Sequence, residues 1–445
     1  MIDREKLKYV IDKIVVKDYN YPLACKILDY FAESATTLAD WDALGELSLA
    51  AKHNELRLKA AQFTYTQCET SEALFSAREN LYKVYNSMNY PDEALFYIEL
   101  NLKMKPDDPD TLMNKAFNLC LKNERKEAED ILSKIITDDP KQKESLEFTL
   151  SGRQLREGDT AAGIRNFITK FKPKNTLFED ALKMKLWEGT AQPGKTIIIN
   201  GEGGVGDEII NFRFLDWFKQ NGMRPVLYSS WHMFRPDTVD MFRRHGVEVT
   251  TNSMFFKKDY LWTHMMALPG YMDLTEDKLW TGPYLFPLRQ EKNKLNDANF
   301  KIGIKCNGNP YFEQDVYRCI PIQQIVDAMP KKNVSIYYFD KEKTHPECIN
   351  LKDKLDTWDD TLDYLDQMDV VVSSCTSLVH AAGAMGKRTV VMVPIAEYYT
   401  WTSTRNNEST PWYGDNMKVV KQSKVRSWEE PLARARELVD EYINV

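Results

Sequence analysis

The sequence predicts a helical repeat region followed by two α/β halves. Residues 1 to about 190 contain few glycines and carry helical patterns throughout. Beyond Lys195, short apolar strands alternate with amphipathic helices, which is typical of parallel sheets built from βαβ units. Two well-separated segments, beginning at Thr196 and Val370, each combine a strand, small residues and a helix start. We therefore expect an α + α/β protein with a cleft between its last two domains.

Alanines recur every 34 residues in the first region, at positions 60, 94, 128 and 162, and prolines 106 and 140 keep the same spacing. A small residue where two helices cross, repeated at this period, is typical of tetratricopeptide repeats. Because each helix pair buries its apolar stripe against the next pair, we expect about four or five units to form a solenoid over residues 1–190. An irregular helical bundle with a coincidental alanine spacing is the alternative.

The remainder of the chain predicts two Rossmann-like halves. We predict strands at 196–200, 225–229, 247–250, 259–262, 301–305, 334–339, 369–373, 389–393 and 418–420. We predict helices at 207–221, 235–245, 321–328, 360–367, 377–385 and 428–442, and a further helix over 177–187. The polar stretch 290–297 is suited to a linker. The predicted halves are therefore 195–292 and 298–445.

Composition argues against several functional classes. The net charge is −7 and the pI is about 5.6, so the sequence does not indicate a bulk nucleic-acid or membrane binder. No apolar run approaches the ~18 residues of a membrane-spanning helix. The seven cysteines and six histidines are scattered, which indicates reduced thiols in the cytoplasm and no dedicated metal site.

The first glycine-rich turn is a candidate ligand site. Gly203, Gly204 and Gly206 allow the backbone to approach a ligand closely, and the helix that follows offers free N–H groups and a positive dipole end. Asp207 and Glu208 lie in the first helical turn, where acidic residues favour the dipole without any further role. At the carboxyl end of a first strand they also point toward the crevice where α/β sheets bind ligands. A carboxylate there can accept a proton from a hydroxyl group.

The second half offers cations and a second helix start. Lys305 and Arg318 flank a turn, where they either neutralise a diphosphate or are solvated at the surface. Three hydroxyl residues precede or open the next helix: Ser374, Thr376 and Ser377. His380 follows on its first turns, where a lone histidine is more often packed than catalytic. The aromatic residues at 398–401 and 412–413 either belong to the core or line the mouth of the cleft.

Residues 189–196 fit the P-loop pattern GxxxxGK[ST]. A working P-loop needs a strand before the loop and a helix after it. Here a strand follows, from Thr196, so the predicted order is reversed. A P-loop ATPase is therefore the least supported reading of this sequence.

The motifs together resemble those of the GT-B glycosyltransferases related to the ADP-heptose:lipopolysaccharide heptosyltransferases of glycosyltransferase family 9. Residues 204–209 resemble the family's G-x-G-D-[ED]-I loop, and 306–310 with Arg318 resemble W-S-G-N-P followed by an arginine. Residues 375–386 resemble D-T-S-x-x-H-x-A/G-G-A-x-G, and 412–413 supply the late W-Y pair. The whole chain resembles tetratricopeptide-repeat proteins that carry such a domain.

This resemblance implies an inverting transfer of a sugar from a nucleotide-diphosphate-sugar to an acceptor hydroxyl. By position, Asp207 is the implied base, with Glu208 beside it. The C-terminal half is implied to hold the donor through Lys305, Asn309, Arg318, Ser374, Thr376, Ser377 and His380. Cations and a helix N-terminus are expected to offset the charge of the leaving group, so the resemblance implies neither a metal nor another cofactor.

Two departures from the family pattern leave the donor sugar open. Cys375 stands where the family has an aspartate, and Cys306 stands where it has a tryptophan. The leading hypothesis is a glycosyltransferase whose repeats dock a protein, peptide or glycan acceptor. The alternative is an inactive scaffold that binds a protein partner. A lesser alternative is glycosylation of a modified DNA base, as in some phage enzymes, which an acidic chain disfavours.

Overall fold

The computed structural model describes residues 4–17, 20–168, 177–201, 204–229, 236–310, 312, 315–402 and 407–444. The chain divides into two compact units. Unit 1 contains 1–142, 309–317 and 423–426, and unit 2 contains 143–308, 318–422 and 427–445. Within the described ranges, no helix combines the length and apolar character that crossing a bilayer requires.

Unit 1 is helical. Its helices are α1 (Arg4–Asp12), α2 (Tyr21–Ala32), α3 (Leu38–Ala50), α4 (Asn54–Thr66), α5 (Ser71–Ser87), α6 (Pro91–Leu102), α7 (Pro109–Leu121) and α8 (Arg125–Leu132). Local sequence sets several starts. Thr37 and Asp40 form a capping box at α3, and Asp108 caps α7 through the amide of Thr111. These side chains accept backbone N–H groups that the first helical turn leaves without partners.

The alanines at the 34-residue period lie in the second helices of successive pairs. Ala60 on α4, Ala94 on α6 and Ala128 on α8 are all buried, and α3 packs against α4, α5 against α6 and α7 against α8. The small residues therefore lie where the pattern predicted close helix approach. The assignment to tetratricopeptide type, and the domain boundary at 190, remain predictions.

Two later segments of the chain belong to unit 1. In the segment 309–317, the Tyr317 hydroxyl donates to the Asn86 carbonyl, and the Tyr317 ring meets the Phe117 ring edge-on with centroids 6.3 Å apart. In the segment 423–426, the Arg426 guanidinium lies 4.3 Å from the centre of the Tyr90 ring.

Two further helices, α9 and α10, precede residue 185, and beyond it helices alternate with strands. The helices are α9 (Pro140–Arg156), α10 (Thr160–Ile168), α11 (Val205–Phe212), α12 (Leu215–Gln220), α13 (Pro236–Arg244), α14 (Leu268–Tyr271), α15 (Asp315–Arg318), α16 (Ile322–Ala328), α17 (Trp358–Asp366), α18 (Ser377–Ala384), α19 (Tyr399–Thr402) and α20 (Glu429–Ile443). The strands are β1 (Lys185–Leu186), β2 (Thr196–Asn200), β3 (Arg224–Tyr228), β4 (Glu248–Thr250), β5 (Leu261–His264), β6 (Phe300–Lys305), β7 (Val334–Tyr338), β8 (Ile349–Asn350), β9 (Val370–Ser374), β10 (Thr389–Val393), β11 (Ser409–Thr410) and β12 (Gly414–Lys421).

The strands of unit 2 form two sheets, which we call sheet A and sheet B. Among the described residues, sheet A has the parallel order β1-β5-β2-β3-β4, and sheet B has the order β11-β12-β10-β9-β6-β7-β8. Within the described part of sheet B, β11 and β12 pair antiparallel and the other neighbouring strands pair parallel. The central strands are continuous apolar runs, Ile197–Ile199 and Val370–Val372, because both faces of a parallel sheet are covered. The predicted α + α/β class is confirmed.

Two predicted helices are wrong in detail. The helix predicted over 207–221 divides into α11 and α12, with the break at Arg213 and Phe214. The helix predicted over 177–187 is a single π-helical turn, Leu177–Ala181, followed by β1. Pairing of β1 with β5 overrides the helical pattern there, since tertiary context commonly outweighs local propensity.

The loop at 189–195 does not have P-loop order, because β2 rather than a helix follows it. Lys195 donates to the Asp259 carbonyl at 3.3 Å. The strand–loop–helix order that a P-loop ATPase requires is therefore not present at this loop.

A shared apolar core joins the two sheets. One cluster of buried side chains includes Ile199 and Phe212 from the sheet A half and Val371, Leu378 and Trp412 from the sheet B half. The opposite face of each sheet packs a cluster of its own. The helices α11 and α18, which carry the two motif segments, are therefore held against each other by the main core of unit 2.

Candidate active site

The first turns of α11 and α18 are in contact. A Cβ atom placed on Gly206 would lie 2.8 Å from the Cδ2 atom of His380 and 3.3 Å from the Cα atom of Ser377. A larger residue at position 206 would displace the His380 ring and press against the backbone at Ser377. The structure therefore brings the two predicted motif segments together at their helix N-termini. Gly203 lies outside the described residues.

Asp207 closes the start of α11. Its Oδ2 atom accepts a hydrogen bond from the backbone N–H of Gly204 at 2.7 Å, and Gly204 is the exposed residue that precedes the helix. The carboxyl group is only partly exposed. This position satisfies an otherwise unpaired amide of the first turn and keeps a titratable group at the meeting point of the two helices.

Burial raises the pKa of Asp207 from 3.8 to about 6. The Gly204 amide, the Tyr398 hydroxyl and the Arg318 charge oppose this shift, while the neighbouring Glu208 adds to it. A carboxyl group with a pKa near 6 is ionised at neutral pH and still basic enough to accept a proton from a hydroxyl group in a transition state. Asp207 is therefore able to accept a proton at neutral pH.

Arg318 is brought to the same place. Its Nη1 atom donates to the Cys375 carbonyl at 2.8 Å, and its own carbonyl accepts the hydroxyl of Ser374 at 2.7 Å. The guanidinium charge acts on both Asp207 and His380. Arg318 therefore places a cation beside the N-terminus of α18.

The N-cap of α18 has a polar atom without a partner. Thr376 is the N-cap residue, its side chain makes no capping hydrogen bond, and it is only 3% exposed. Its Oγ1 atom has no hydrogen-bond partner among the described residues. Buried hydroxyls are normally paired, so this group at a helix N-terminus is suited to a ligand oxygen. Ser377, the first residue of the helix, is half-buried.

Lys305 lies at the end of β6 and is already paired. Its Nζ atom donates to the Phe339 carbonyl at 3.0 Å and lies 3.5 Å from an oxygen of Asp340. Burial raises the pKa of Asp340, but Lys305 and nearby backbone amides outweigh that effect and lower it below its usual value. A phosphate bound by Lys305 would compete with this carboxylate.

His380 is packed rather than exposed. Its Nδ1 atom lies 2.9 Å from the Tyr413 hydroxyl, and its ring stacks on Trp401 with centroids 5.3 Å apart. Burial, with the charges of Arg213 and Arg318, lowers the pKa of His380 to about 3. The imidazole is therefore neutral at physiological pH and can offer a hydrogen bond but no positive charge.

The other predicted residues have more structural positions. Glu208 is 4% exposed, and its carboxyl group lies against Gly201 at the end of β2. Ser374 is fully buried and holds residue 318 in place, as described above. Asn309 belongs to unit 1, where its carbonyl accepts the amide of Phe312 at 3.0 Å.

Sequence reasoning missed two residues near the site. Arg213 ends α11 and donates to the carbonyls of Leu279 and Trp412, at 2.7 and 2.6 Å, and to the hydroxyl of Tyr284 at 2.8 Å. Tyr398, in the segment after β10, opposes the rise in the pKa of Asp207. A single arginine at a helix end gives no sequence signal for such a role. The aromatic run at 398–401 did give a sequence signal, but that signal fits a core position and a cleft position equally well.

The raised pKa of Asp207 has a consequence for stability. In the unfolded chain the carboxyl group ionises near pH 3.8, but in the folded state it ionises near pH 6. Its contribution to stability is thus complete below about pH 4 and is lost as the pH rises through about 6. We expect Asp207→Asn to be more stable than the native chain by about 1 to 3 kcal/mol above pH 6.5, allowing for partial solvent exposure.

Urea unfolding of Asp207→Asn and of the native chain at pH 4, 5, 6, 7 and 8 measures this difference. The difference in the free energy of unfolding between the two chains is expected to be near zero at pH 4, to grow up to pH 6.5 and then to level off. Comparison at equal pH removes the contribution of His380, whose depressed pKa changes stability in the opposite direction. A gap that is independent of pH would contradict the prediction.

No protein-family model matches this chain, and no curated protein matches it. Among solved structures, the chain is similar to a glycosyl transferase family 9 protein from Veillonella parvula at 9% identity and a TM-score of 0.34, covering 53% of this chain and 88% of that one. It is similar to an O-GlcNAc transferase variant from Thermobaculum terrenum at 11% identity and 0.36, covering 100% and 94%. It is also similar to full-length LpoA from Haemophilus influenzae at 10% identity and 0.20, covering 99% and 83%. Likeness at these values does not define a function.

Proposed function

We propose that this protein is a glycosyltransferase that moves a sugar from a nucleotide-diphosphate-sugar to an acceptor hydroxyl. One observation carries the proposal: a base-competent carboxyl, a guanidinium and an unpartnered N-cap hydroxyl meet where two helix N-termini touch. These groups are Asp207, Arg318 and Thr376, and their helices follow central, parallel strands of two different sheets. Crevices at the carboxyl ends of parallel strands are where α/β proteins bind ligands.

In the proposed reaction, Asp207 accepts the proton of the acceptor hydroxyl. The acceptor oxygen forms a bond to the anomeric carbon of the donor, while the bond from that carbon to the diphosphate oxygen breaks. The electron pair of the broken bond leaves with the nucleoside diphosphate. Direct displacement of this kind inverts the configuration at the anomeric carbon.

Negative charge develops on the leaving diphosphate in the transition state, and stabilising it lowers the activation free energy. Here the N-terminus of α18, the Thr376 hydroxyl and the Arg318 guanidinium are proposed to stabilise it, without a metal ion. Lys305 joins them if the diphosphate displaces Asp340 from its ion pair. His380, being neutral, contributes a hydrogen bond or packing, and not charge.

The helical repeats are proposed to dock the acceptor. A run of stacked helix pairs offers an extended surface, which suits a protein, a peptide or a glycan. A modified DNA base remains a lesser candidate because the chain is acidic.

A second candidate function is a scaffold without activity. Cys375 is buried beside the donor groups, where the resembled family carries an aspartate. A thiol at this position can neither form an ion pair nor accept a strong hydrogen bond from a sugar hydroxyl. If that contact is essential, the α/β part would only bind, and the repeats would carry the function.

A thermal-shift screen with UDP, GDP, ADP, CMP and dTDP, and with sugars of each, tests the donor site. A nucleotide present at a hundred times its Kd stabilises the folded state by about 2.7 kcal/mol and so raises the Tm. Thr376→Val keeps the shape of the side chain and removes its hydroxyl. We expect it to weaken binding by about 10- to 100-fold, as loss of a hydrogen bond to a charged group does.

Thr389→Val is the matched control. Thr389 is also buried, but it begins β10 and so lies at the amino end of the strand, away from the helix starts. Its hydroxyl donates to the Lys387 carbonyl. Its nucleotide shift should equal that of the native chain. No shift with any nucleotide at millimolar concentration would favour the scaffold over the enzyme.

A further inference from the structure

The loop between β7 and β8 is held in shape by the side chain of Asn350. Its amide nitrogen donates to the carbonyls of His345 and Cys348 at 2.9 and 3.0 Å, and its oxygen accepts the backbone N–H of His345 at 2.7 Å. These bonds keep His345 and Cys348 together on one turn. Because β8 stands at the end of sheet B, this loop is separate from the helix starts that follow β2 and β9.

Gln323 on α16 determines which nitrogen of the His345 ring carries the proton. The amide nitrogen of Gln323 lies 2.9 Å from a carboxylate oxygen of Asp327 and 2.9 Å from one of Glu347. Ionised carboxylates only accept hydrogen bonds, so the nitrogen of the amide faces them. The amide oxygen is therefore the atom that lies 3.0 Å from Nε2 of His345. Since that oxygen also only accepts, Nε2 is the protonated nitrogen.

The other ring nitrogen of His345, Nδ1, is then the basic atom of the neutral imidazole. The Sγ atom of Cys348 lies 3.7 Å from it, and the backbone N–H of Glu347 donates to it at 3.4 Å. The thiol is therefore the donor in its contact with the ring. A nucleophile, a base within reach and a third group that orients the base are the parts by which cysteine side chains are activated.

The surroundings of Cys348 leave its side chain open to small solutes but make it depend on a base. Cys348 is half-buried, and the residues on either side of it, Glu347 and Ile349, are exposed. Burial, with the charge of Glu347, raises the pKa of Cys348 to about 11. The group is therefore a thiol at neutral pH, and it must lose its proton when it attacks an electrophile. His345 is placed to accept that proton.

We propose that Cys348 is a modification site at which hydrogen peroxide oxidises the thiol to a sulfenic acid, with His345 as the base. The sulfur attacks one peroxide oxygen, so that an S–O bond forms and the O–O bond breaks. The thiol proton passes to Nδ1 of His345 and from there to the departing hydroxide, which leaves as water. The sulfur is oxidised by two electrons and the peroxide is reduced. This activity is independent of the proposed sugar transfer.

Cys25 and Cys68 are matched reference thiols. Both are half-buried, and burial raises the pKa of each. Their thiols donate to backbone carbonyls, of Ala51 at 3.5 Å and of Thr64 at 3.2 Å, which cannot take up a proton at neutral pH. The full chain is treated with hydrogen peroxide and dimedone, which traps sulfenic acids, and the labelled peptides are quantified over time by mass spectrometry. We expect Cys348 to be labelled about 10- to 100-fold faster than either reference thiol, the lower range of general-base assistance.

His345→Gln removes the base, and it should lower the labelling rate of Cys348 to that of the reference thiols while leaving Cys25 and Cys68 unchanged. Gln323→Leu, a change at an exposed position, removes the oxygen that orients the ring and should slow Cys348 several-fold, so the test does not depend on one variant. Circular dichroism and the Tm verify that each variant is folded. Equal rates for the three thiols in the native chain, or a Cys348 rate that both variants leave unchanged, would overturn the proposal.

Discussion

Asp207→Asn is expected to abolish sugar transfer while leaving nucleotide binding intact. The substitution keeps the size of the side chain and its ability to accept the Gly204 amide, but it removes the group that takes the proton. Loss of a general base typically lowers the rate by about 10²- to 10⁴-fold. The measurement is product formation at saturating donor, with the donor that the thermal-shift screen identifies, and the thermal shift itself reports binding by the variant.

Two further variants give this result its meaning. Asp216→Asn makes the same change on α12, where the carboxylate is exposed and pairs with Lys219, and it should transfer sugar at the native rate. Glu208→Gln tests the other acidic residue of the first turn, whose buried position against Gly201 predicts an effect on folding more than on the chemical step. Full activity in Asp207→Asn would exclude the proposed base, and a larger rate loss in Glu208→Gln would transfer that role to its neighbour.

The strands of the two sheets could be predicted because their signal is local. An apolar run such as Ile197–Ile199 indicates a strand without any knowledge of the strands beside it. The strands β2 and β10 have the bounds that the pattern predicted. The wrong predictions occur where contacts with residues distant in sequence determine the local structure. Residues 185–186 become a strand only because β5 is beside them, and the helix predicted over 207–221 breaks where Arg213 turns toward carbonyls and rings from later in the chain.

The same division applies to the candidate site. Gly206, Asp207 and Thr376 lie within motif segments, so their spacing alone placed them at helix starts. Arg213 contacts the Trp412 carbonyl more than a hundred residues away in sequence, and Tyr398 influences the pKa of Asp207 across a similar separation. Spacing along the chain encodes neither relation. The pairing of Lys305 with Asp340 was hidden for the same reason. Lys305 ends β6 and Asp340 follows the end of β7, and these two strands are neighbours only in the folded sheet.

Arg213→Met is expected to have the largest effect on stability. The guanidinium donates to four oxygen atoms: the carbonyls of Ile210, Leu279 and Trp412 and the hydroxyl of Tyr284. Methionine retains the apolar stem but no donor, so these half-buried acceptors lose their partner. At ~1 kcal/mol or more for each acceptor left unpaired in the interior, the free energy of unfolding should fall by about 3 to 5 kcal/mol.

The aromatic surroundings add to the expected loss. The guanidinium carbon lies 4.6 Å from the centre of the Tyr284 ring and 4.8 Å from that of Tyr413, distances at which a cation is attracted to a ring face. Tyr284 and Tyr413 come from either side of the linker between the sheets. Arg213 therefore ties the end of α11 to the sheet B half, and its removal should loosen the contact at Gly206.

Urea unfolding followed by tryptophan fluorescence measures the effect, with Arg224→Met as the matched control. Arg224 makes a bidentate pair with Glu248 on adjacent strands, but both side chains are about half exposed, at 60% and 49%. Exposed ion pairs contribute only about 0 to 1 kcal/mol, so the control should unfold close to the native midpoint. Equal midpoints for the two variants would mean that the hydrogen bonds of Arg213 are replaced by water on substitution, and that the two halves are held together by their apolar core alone.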